Sequence, residues 1–521
     1  MTNYSDEISI RTEKLSRIKT LGIIPYAAKF DKKDSIVSLI GRDQWDFRTI
    51  EMIIPAPIDN AQTAGRITLY RSFGKIAFAR LQDVSGEIQI MFSRENCQII
   101  TSEGVKKDLS DEVSAYKFIE KLIDVGDFIG ISGELFLTHK GELTIFVSQF
   151  QLLSKAIRPL PEKFHGIKDE EVLYRQRYLD LIAHEDTYNR FLFRSRFIKT
   201  LRDFYHENGF IEIETPVLGS FASGAAAAPF ATHHNDYDHD FVLRISPETN
   251  LKKATVGRFE RVFEIGKQFR NEGSDPSHMQ EFTSVEHYAA YWNFEDNMRF
   301  TEKMFEYLFN KLNLNTIVQI KDKDGNIRDV NFATPWQRID YIKGVRDACG
   351  IDIAEYVIGD EARLRKDIRD KWIQFERMDK MGLNTLIDYL YKKVLRPGIL
   401  GPAFVYNYPK TMQPLARVSD ENPNIVEQFQ LVINGWEALK AYSELVDPIS
   451  QRENFAEQAR NAAAGDEEAT SPDDDFVLAM EYGMPCQSGW WMGIDRILSL
   501  LTGQDNLRDV VLFPLTKPKG E

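Results

Sequence analysis

The sequence predicts an α+β protein in which a small β-barrel precedes an antiparallel-sheet domain interrupted by helices. Three observations predict it. The chain has 521 residues, too many for one ordinary core, so two or more domains are expected. Five short alternating segments, AGRITLYR, KIAFARLQD, EIQIMF, FIGISGELFLT and ELTIFVSQFQLL, crowd into residues 61–155 between Gly, Asp and Ser turns. Beyond Asp169 the strands lead into long hairpin loops rather than regular βαβ units, which favours an antiparallel sheet.

Residues 1–60 read as a basic helical extension. Leu15, Ile18 and Leu21 fall at helical spacing, and Arg11, Lys14 and Arg17 share another face. Residues 1–33 hold seven Lys or Arg against four Asp or Glu, the reverse of the chain's net charge of −14, so this face is expected to meet phosphates. The five alternating segments of residues 61–155 predict a closed five-stranded barrel of the OB type. Such barrels stack bases of single-stranded nucleic acid on aromatics beside hydrogen-bonding groups, and Arg71, Phe78, Gln89 and Phe92 are the candidates. Two prolines and a glycine mark residues 156–168 as a linker.

Residues 169–521 form the second domain, with helical composition from about 336 to 395 read as an insertion. The acidic stretch from Ala462 to Asp475 reads as a solvated helix end and loop. Cys97, Cys349 and Cys486 are far apart and form no C-x-x-C pair, so neither a disulfide framework nor a thiolate zinc site is expected, and a reducing cytoplasm fits. The N-terminus lacks an apolar leader, and no run of 18 uncharged apolar residues occurs, so the chain is expected to be soluble, with no membrane partner.

No Gly-rich phosphate loop of either common type is present, so a nucleotide must be held by side chains. The stretch RVFEIGKQFRNEGSDPSHMQEFTSVEHYAAY, from Arg261 to Tyr291, is the candidate. Period-2 alternation sets Phe263, Ile265 and Phe269 on one face and Glu264, Gln268 and Arg270 on the other. After a loop bearing Glu272 and His278, the returning strand sets Phe282, Ser284, Glu286 and Tyr288 on one face. If the two polar faces coincide, Arg270, Phe282, Glu286 and Tyr288 converge. An arginine fork there can hold an α-phosphate and a carboxylate together, and an aromatic can stack on adenine, as an adenylating site requires. Near the C-terminus an apolar helix starts at about Ile494 and carries Arg496. Upstream, QFQLVINGWEALKAYSELVDP reads as a buried strand that then supplies Glu437 and Glu444.

These segments resemble a known family. GFIEIETPVL, FRNEG with EFTSVEHYAAY, and a variant of GMGIDR resemble the three motifs of class II aminoacyl-tRNA synthetases, and AGRI, GKIAF, LQD, RPLPEKFHG, YRQRYLDLI, THHND and SELVDP resemble the lysyl-tRNA synthetase family of class IIb in particular. The resemblance implies activation of lysine by ATP as an adenylate, its transfer to tRNA(Lys), Mg²⁺ as cofactor, and a homodimer whose interface includes the motif around Pro216. By motif, Arg270 and Arg496 would be catalytic. Arg270 would contact the α-phosphate and the lysine carboxylate, Glu272 the adenine, His278 the outer phosphates, and Phe282 and Arg496 would sandwich the base. Gly224 and Glu286 would receive the α-amino group, while Glu248, Tyr288 and Glu444 would hold the ε-ammonium. Arg71, Phe78 and Gln89 match anticodon-reading positions.

Four departures stand out. Gln430 occupies a position where the family commonly has a metal-binding carboxylate, leaving Glu437 as the clearer Mg²⁺ ligand. Lys440 replaces an asparagine, Ala228 an arginine, and Trp490 and Trp491 enter the glycine-rich approach to Arg496. Three rival readings are an aspartyl- or asparaginyl-type synthetase, a paralogue that lysylates protein, and an inactive RNA-binding scaffold. The first would need cations in the side-chain pocket, whereas Glu248 and Glu444 point to a cationic substrate.

Overall fold

The computed structural model describes residues 4–42, 60–160, 169–225, 227–322, 325–376, 378–413, 415–463 and 473–518. Residues 161–168 of the linker and 464–472 of the acidic stretch lie outside the described residues. The chain forms two compact units, Met1–Lys168 and Asp169–Glu521.

In the first unit β1 (Ala61–Ser72), β2 (Ile76–Asp83) and β3 (Gly86–Ser93) form a meander. A short hairpin, β4 (Gln98–Thr101) and β5 (Gly104–Lys106), precedes the helix Ala115–Leu122, and β6 (Phe128–Leu137) and β7 (Leu143–Ser154) complete the sheet. The order is β3-β2-β1-β6-β7-β4-β5, and a parallel pairing of β3 with β7 closes the barrel. β1, β2, β3, β6 and β7 correspond to the five alternating segments. The β4-β5 hairpin is too short to show a period, and the helix caps its own first turn through Ser114, whose side chain accepts from the Lys117 amide. Alternation turns Ala77, Ala79 and Leu81 of β2 and Ile88, Ile90 and Phe92 of β3 into one buried core with Phe118 and Phe150.

The N-terminal helix Tyr4–Thr20 buries Ile18 in that core. Its basic face is only partly free, contrary to the expectation of a phosphate-facing surface. Arg11 is buried, with its guanidinium donating to the Val125 carbonyl (3.0 Å) and pairing with Glu7. Lys14 pairs with Asp124 at 2.6 Å, beside the buried Lys155, which pairs with both Asp124 and Asp127. The Val125 carbonyl and Asp124, far along the chain, engage these cations, a long-range pairing that helical spacing cannot reveal.

In the second unit an eight-stranded sheet runs, edge to edge, Gln337–Asp340, Ala403–Pro409, Ile425–Ile433, Trp436–Ser443, Gln487–Gly493, Glu281–Ala290, Arg261–Phe269 and Ile211–Glu212. Every pairing is antiparallel except the two at the edges. One face packs on the helices Glu185–Glu207 and Phe294–Lys311 around Phe204, Phe263, Phe300, Phe429 and Trp490. Opposite it lies a cleft.

Two sequence readings change here. The stretch from Gln428 onward is a hairpin rather than one strand, because Asn434 (φ 54°) and Gly435 (φ 71°) make a two-residue turn with both residues left-handed. The helical insertion begins one strand later than read, since Gln337–Asp340 pairs in parallel with Ala403–Pro409 before the helices Tyr341–Cys349, Glu361–Asp370 and Leu383–Val394 build a separate core.

Candidate active site

Sheet register assembles the cleft. Direct pairing opposes Gln268 to Phe282, Gly266 to Ser284, Glu264 to Glu286 and Val262 to Tyr288. The polar faces of the two strands therefore coincide. The same row runs on across the sheet from Glu286 to Trp491, Lys440 and Gln430. Its neighbour runs from Tyr288 to Gly489, Tyr442 and Gln428. Arg270 extends the first strand by one rung, its amide donating to the Gln280 carbonyl at 2.8 Å.

At one end of the cleft Arg270 lies with its guanidinium carbon 5.2 Å from the centre of the Phe282 ring. Its Nε is buried without a hydrogen-bond partner, as are Gln268 Oε1 and Ser284 Oγ on the same face. Buried polar atoms of this kind cost stability unless a ligand satisfies them. Trp491 meets Phe282 edge-on, with centroids 6.5 Å apart. Arg496 sits in the first turn of the helix Ile494–Leu501 and donates through Nη1 to the Glu437 carbonyl at 2.8 Å. Its neighbour Asp495 fixes that helix to the sheet, accepting from the Thr283 amide at 2.8 Å and pairing with Arg194. Glu272 and His278 lie on the exposed loop, His278 bound through Nδ1 to Asp275 at 2.8 Å.

At the other end three carboxylates are buried together. Tyr288 donates to Glu286 Oε1 at 2.8 Å, and Ser246 donates to Oε2 at 3.3 Å. Tyr442 donates to Glu248 Oε1 at 2.7 Å. Between Glu248 and Glu444 lies the ammonium of Lys252, at 2.6 and 2.5 Å. The positions of Glu248 and Lys252, one turn apart on the helix Glu248–Val256, put both on one face. Gly224, at φ 82°, abuts this helix so closely that a Cβ would lie 2.8 Å from that of Glu248. Glu444 Oε1 and the Tyr288 ring pack directly against the Gly489 backbone, where a Cβ would overlap both. Glu444 Oε1 has no hydrogen-bond partner in the protein.

Burial raises Glu286, and the nearby Glu248 carboxylate adds to it, so the Glu286 carboxyl is pushed up to about 8. Burial likewise takes Glu444 to about 8 despite the opposing Lys252 ammonium. For Lys252 itself burial favours the neutral amine, but Glu248 and Glu444 more than offset this and raise it above the usual lysine value. The pocket therefore keeps Glu286 and Glu444 largely protonated at neutral pH, and a cation entering it would favour their ionised forms.

Sequence reading brought Arg270, Phe282, Glu286 and Tyr288 together correctly, and the structure sets Glu248, Glu444 and Gly224 beside them. It missed Lys252, which looks in sequence like an ordinary helix lysine, and Tyr442 and Gln428, which become legible only once the Asn434–Gly435 turn fixes the hairpin register. In the barrel, Arg71 opposes Phe78 across β1 and β2, on the outward face that also carries Gln89, whose side chain donates to Thr144 at 2.9 Å. Phe92 is instead fully buried in the barrel core, one residue out of phase with that face. Phe73, 63% exposed and edge-on to Phe78 at 6.2 Å, is the further aromatic that sequence alternation passed over, because it lies in the turn.

An eight-stranded, mainly antiparallel sheet with an arginine at one end of its polar face and a cluster of buried carboxylates toward the other, in a chain that also carries an OB barrel, defines a class of enzyme. Residues 169–517 match the family of class II tRNA synthetases (D, K and N), and residues 61–153 match the OB-fold nucleic acid binding domain of the anticodon type. The chain is similar to the lysine–tRNA ligase of Carboxydothermus hydrogenoformans, 40% identical over 98% of both chains. It is also similar to that of Aquifex aeolicus, 43% identical over 88% of this chain and 73% of the relative, and to that of Lactococcus lactis subsp. lactis, 38% identical over 98% and 99%. The chain belongs to the class II tRNA synthetases, and within them to the family of the lysine–tRNA ligases. It is an ATP-dependent aminoacyl-tRNA ligase. Among the described residues no helix is long and apolar enough to cross a membrane.

Proposed function

We propose that this lysine–tRNA ligase binds lysine with its ammonium groups among Glu248, Glu286 and Glu444 and its carboxylate toward Arg270, and joins it to the α-phosphate of ATP. One observation carries the reading. Three carboxylates are buried together: Glu248 and Glu444 pair with the Lys252 ammonium, and Glu286 accepts from Tyr288 and Ser246. When ionised they leave two negative charges unbalanced, the number that the α- and ε-ammonium groups of lysine bring. An aspartyl- or asparaginyl-type pocket would place cations where Glu444 and Glu248 stand. The open oxygen of Glu444, Tyr288 and the side-chain-free Gly489 form the ε-ammonium end. Glu286, near Gly224 and Ser246, serves the α-amino end.

The lysine carboxylate then attacks the α-phosphorus in line, and pyrophosphate leaves. Arg270 neutralises charge on the attacking carboxylate and the phosphate, Phe282 and Arg496 sandwich the adenine, and from the loop Glu272 contacts the adenine and His278 the outer phosphates. No protein nucleophile takes part, and positioning and electrostatics supply the acceleration. The terminal adenosine hydroxyl of tRNA(Lys) attacks the activated carbonyl next, releasing AMP. Arg71, Phe78 and Gln89 read the anticodon.

The residues present fit one Mg²⁺ carried in on the ATP phosphates. Glu437 is the one carboxylate on this part of the hairpin, the Gln430 oxygen already accepts from Tyr408 at 2.7 Å, and no group of three or more His, Cys, Asp or Glu suited to a metal occurs among the described residues. Mg²⁺ commonly binds in this way, through one or two carboxylates plus substrate phosphates. When bound it supplies charge neutralisation at the triphosphate, with Glu437 as its protein contact. The exposed Val217, Leu218 and Phe221 beside Pro216 support a homodimer interface there. The three unpaired cysteines are consistent with a cytoplasmic setting.

The test is lysine-dependent ATP–pyrophosphate exchange in Arg270→Ala. Loss of exchange by about 100-fold or more is expected, and exchange at the parent rate would reject the site.

A further inference from the structure

The helix Glu248–Val256 carries two consecutive lysines that face opposite ways. Lys253 reaches outward and pairs with the exposed Asp475 at 2.5 Å. Lys252 turns inward and is 1% exposed. Its ammonium lies 2.6 Å from Glu248 Oε1 and 2.5 Å from Glu444 Oε2. The rings of Tyr288, Tyr442 and Phe476 each have their centre 5.6 Å from the same nitrogen. Two carboxylates and three aromatic rings make a complete site for a desolvated ammonium. The chain fills that site with its own side chain.

Stability alone does not call for a cation here, since an apolar side chain would pack among the same rings without desolvating any charge. The two oxygens of Glu444 show what the cation does. Oε2 faces Lys252, whereas Oε1 packs against Gly489 and Tyr288 and has no hydrogen-bond partner in the protein. Glu248 takes both the Lys252 ammonium and the Tyr442 hydroxyl on Oε1, so the same lysine also fixes the second carboxylate. Burial drives the Glu444 carboxyl up, and the Lys252 ammonium is the largest influence drawing it back. The other titratable groups facing Lys252 are the hydroxyls of Tyr288 and Tyr442, which burial holds well above the usual tyrosine value. Behind them stand Glu286, bonded to Tyr288, and Lys440, 5.9 Å from the centre of the Tyr442 ring and donating to Gln413.

We propose that Lys252 is a positioning residue for the substrate: enclosed by its own pocket, it holds Glu444 by one oxygen and keeps that carboxyl ionisable near neutral pH, leaving Oε1 for the incoming ε-ammonium. The proposal deepens the lysine-binding reading above and rests on it. Lys252 acts through Glu444 and Glu248 and does not itself touch the substrate. Without it, the first event on lysine binding would be the ionisation of a buried acid that has no resident counter-charge.

The experiment measures kcat/KM for lysine by pyrophosphate exchange across a pH series, and ATP binding at neutral pH, in the parent chain, K252M, E444Q and the double variant. Methionine keeps the length of the stem and removes the charge. In K252M the midpoint of the rise in kcat/KM with pH should move up by about one unit or more, which lowers the value at neutral pH about 10-fold or more. ATP binding should stay within about twofold, which also shows that the variant folds. Adding K252M to E444Q should cost less than about threefold, because the carboxylate through which Lys252 acts is already gone. If K252M keeps the parent midpoint, whatever its rate, the proposal fails. It fails too if the losses of K252M and E444Q multiply, or if K252M loses ATP and lysine binding alike, which would make Lys252 a support of the fold. A parent chain that shows no lysine-dependent exchange would instead reject the lysine-binding reading, so the two failures are distinguishable.

Discussion

Glu444→Gln is the sharpest perturbation of the proposed lysine pocket, because it removes one charge and almost no volume. Glu444 is 2% exposed, with one oxygen 2.5 Å from the Lys252 ammonium and the other free of any hydrogen bond in the protein. The amide would turn hydrogen-bond donors toward cations on both sides. Truncating one partner of a buried, hydrogen-bonded charge pair costs about 2–5 kcal/mol. At about 1.4 kcal/mol per decade, kcat/KM for lysine should fall from about 30-fold to several thousand-fold. The ATP end of the cleft, at Arg270 and Phe282, makes none of these contacts, so KM for ATP at saturating lysine should move little. Pyrophosphate exchange across a lysine concentration series measures both quantities. A lysine kcat/KM within threefold of the parent, or equal losses for lysine and ATP, would refute the assignment of Glu444 to the ε-ammonium.

Other outcomes follow from the same geometry. Gly489→Ala drives a methyl into Glu444 Oε1 and the Tyr288 ring and must displace them, and should raise KM for lysine at least about 10-fold while ATP binding persists, as competition binding would show. Glu286 and Glu444, pushed up to about 8 in the free protein, must be ionised to hold ammonium groups, so kcat/KM for lysine should climb as pH rises from 6 to about 8. Because these carboxyls are raised, the stability they contribute is full below the unfolded glutamate value of about 4.3 and is lost as pH rises toward 8, so the lysine-induced rise in Tm should be larger at pH 8 than at pH 6. His287 is buried between Tyr205 and Asn297, each at 2.9 Å, and burial pushes it down to about 3. Its contribution is present above the unfolded value of about 6.5 and lost as pH falls below it, a loss on the order of 3 kcal/mol by pH 4, which calorimetry of His287→Leu should show flattened. In the barrel, Phe78→Ala is expected to weaken tRNA binding by about 5- to 150-fold in a filter assay, while pyrophosphate exchange is unchanged.

The half of the site carried by adjacent strands was legible in the sequence. Alternation through Arg261–Phe269 and Glu281–Ala290 needs only a hairpin to bring Arg270, Phe282, Glu286 and Tyr288 to one face, and the structure provides that register. The other half depends on long-range pairing. Lys252 acquires its role only because the strand carrying Glu444 passes over its helix, and Arg11 and Lys14 lose their apparent role because Glu7, Asp124 and the Val125 carbonyl engage them. Phe92 shows the limit of composition: an aromatic one residue from Met91 lies on the opposite side of the strand, and only the closure of the barrel decides which side is core.

The central claim is that this cleft activates lysine. Pyrophosphate exchange with each of the twenty amino acids in turn tests it most directly, with ATP and Mg²⁺ held constant and no tRNA added. Lysine alone should support rapid exchange, with aspartate and asparagine at background. Exchange driven by aspartate or asparagine, or by no amino acid at all, would contradict it.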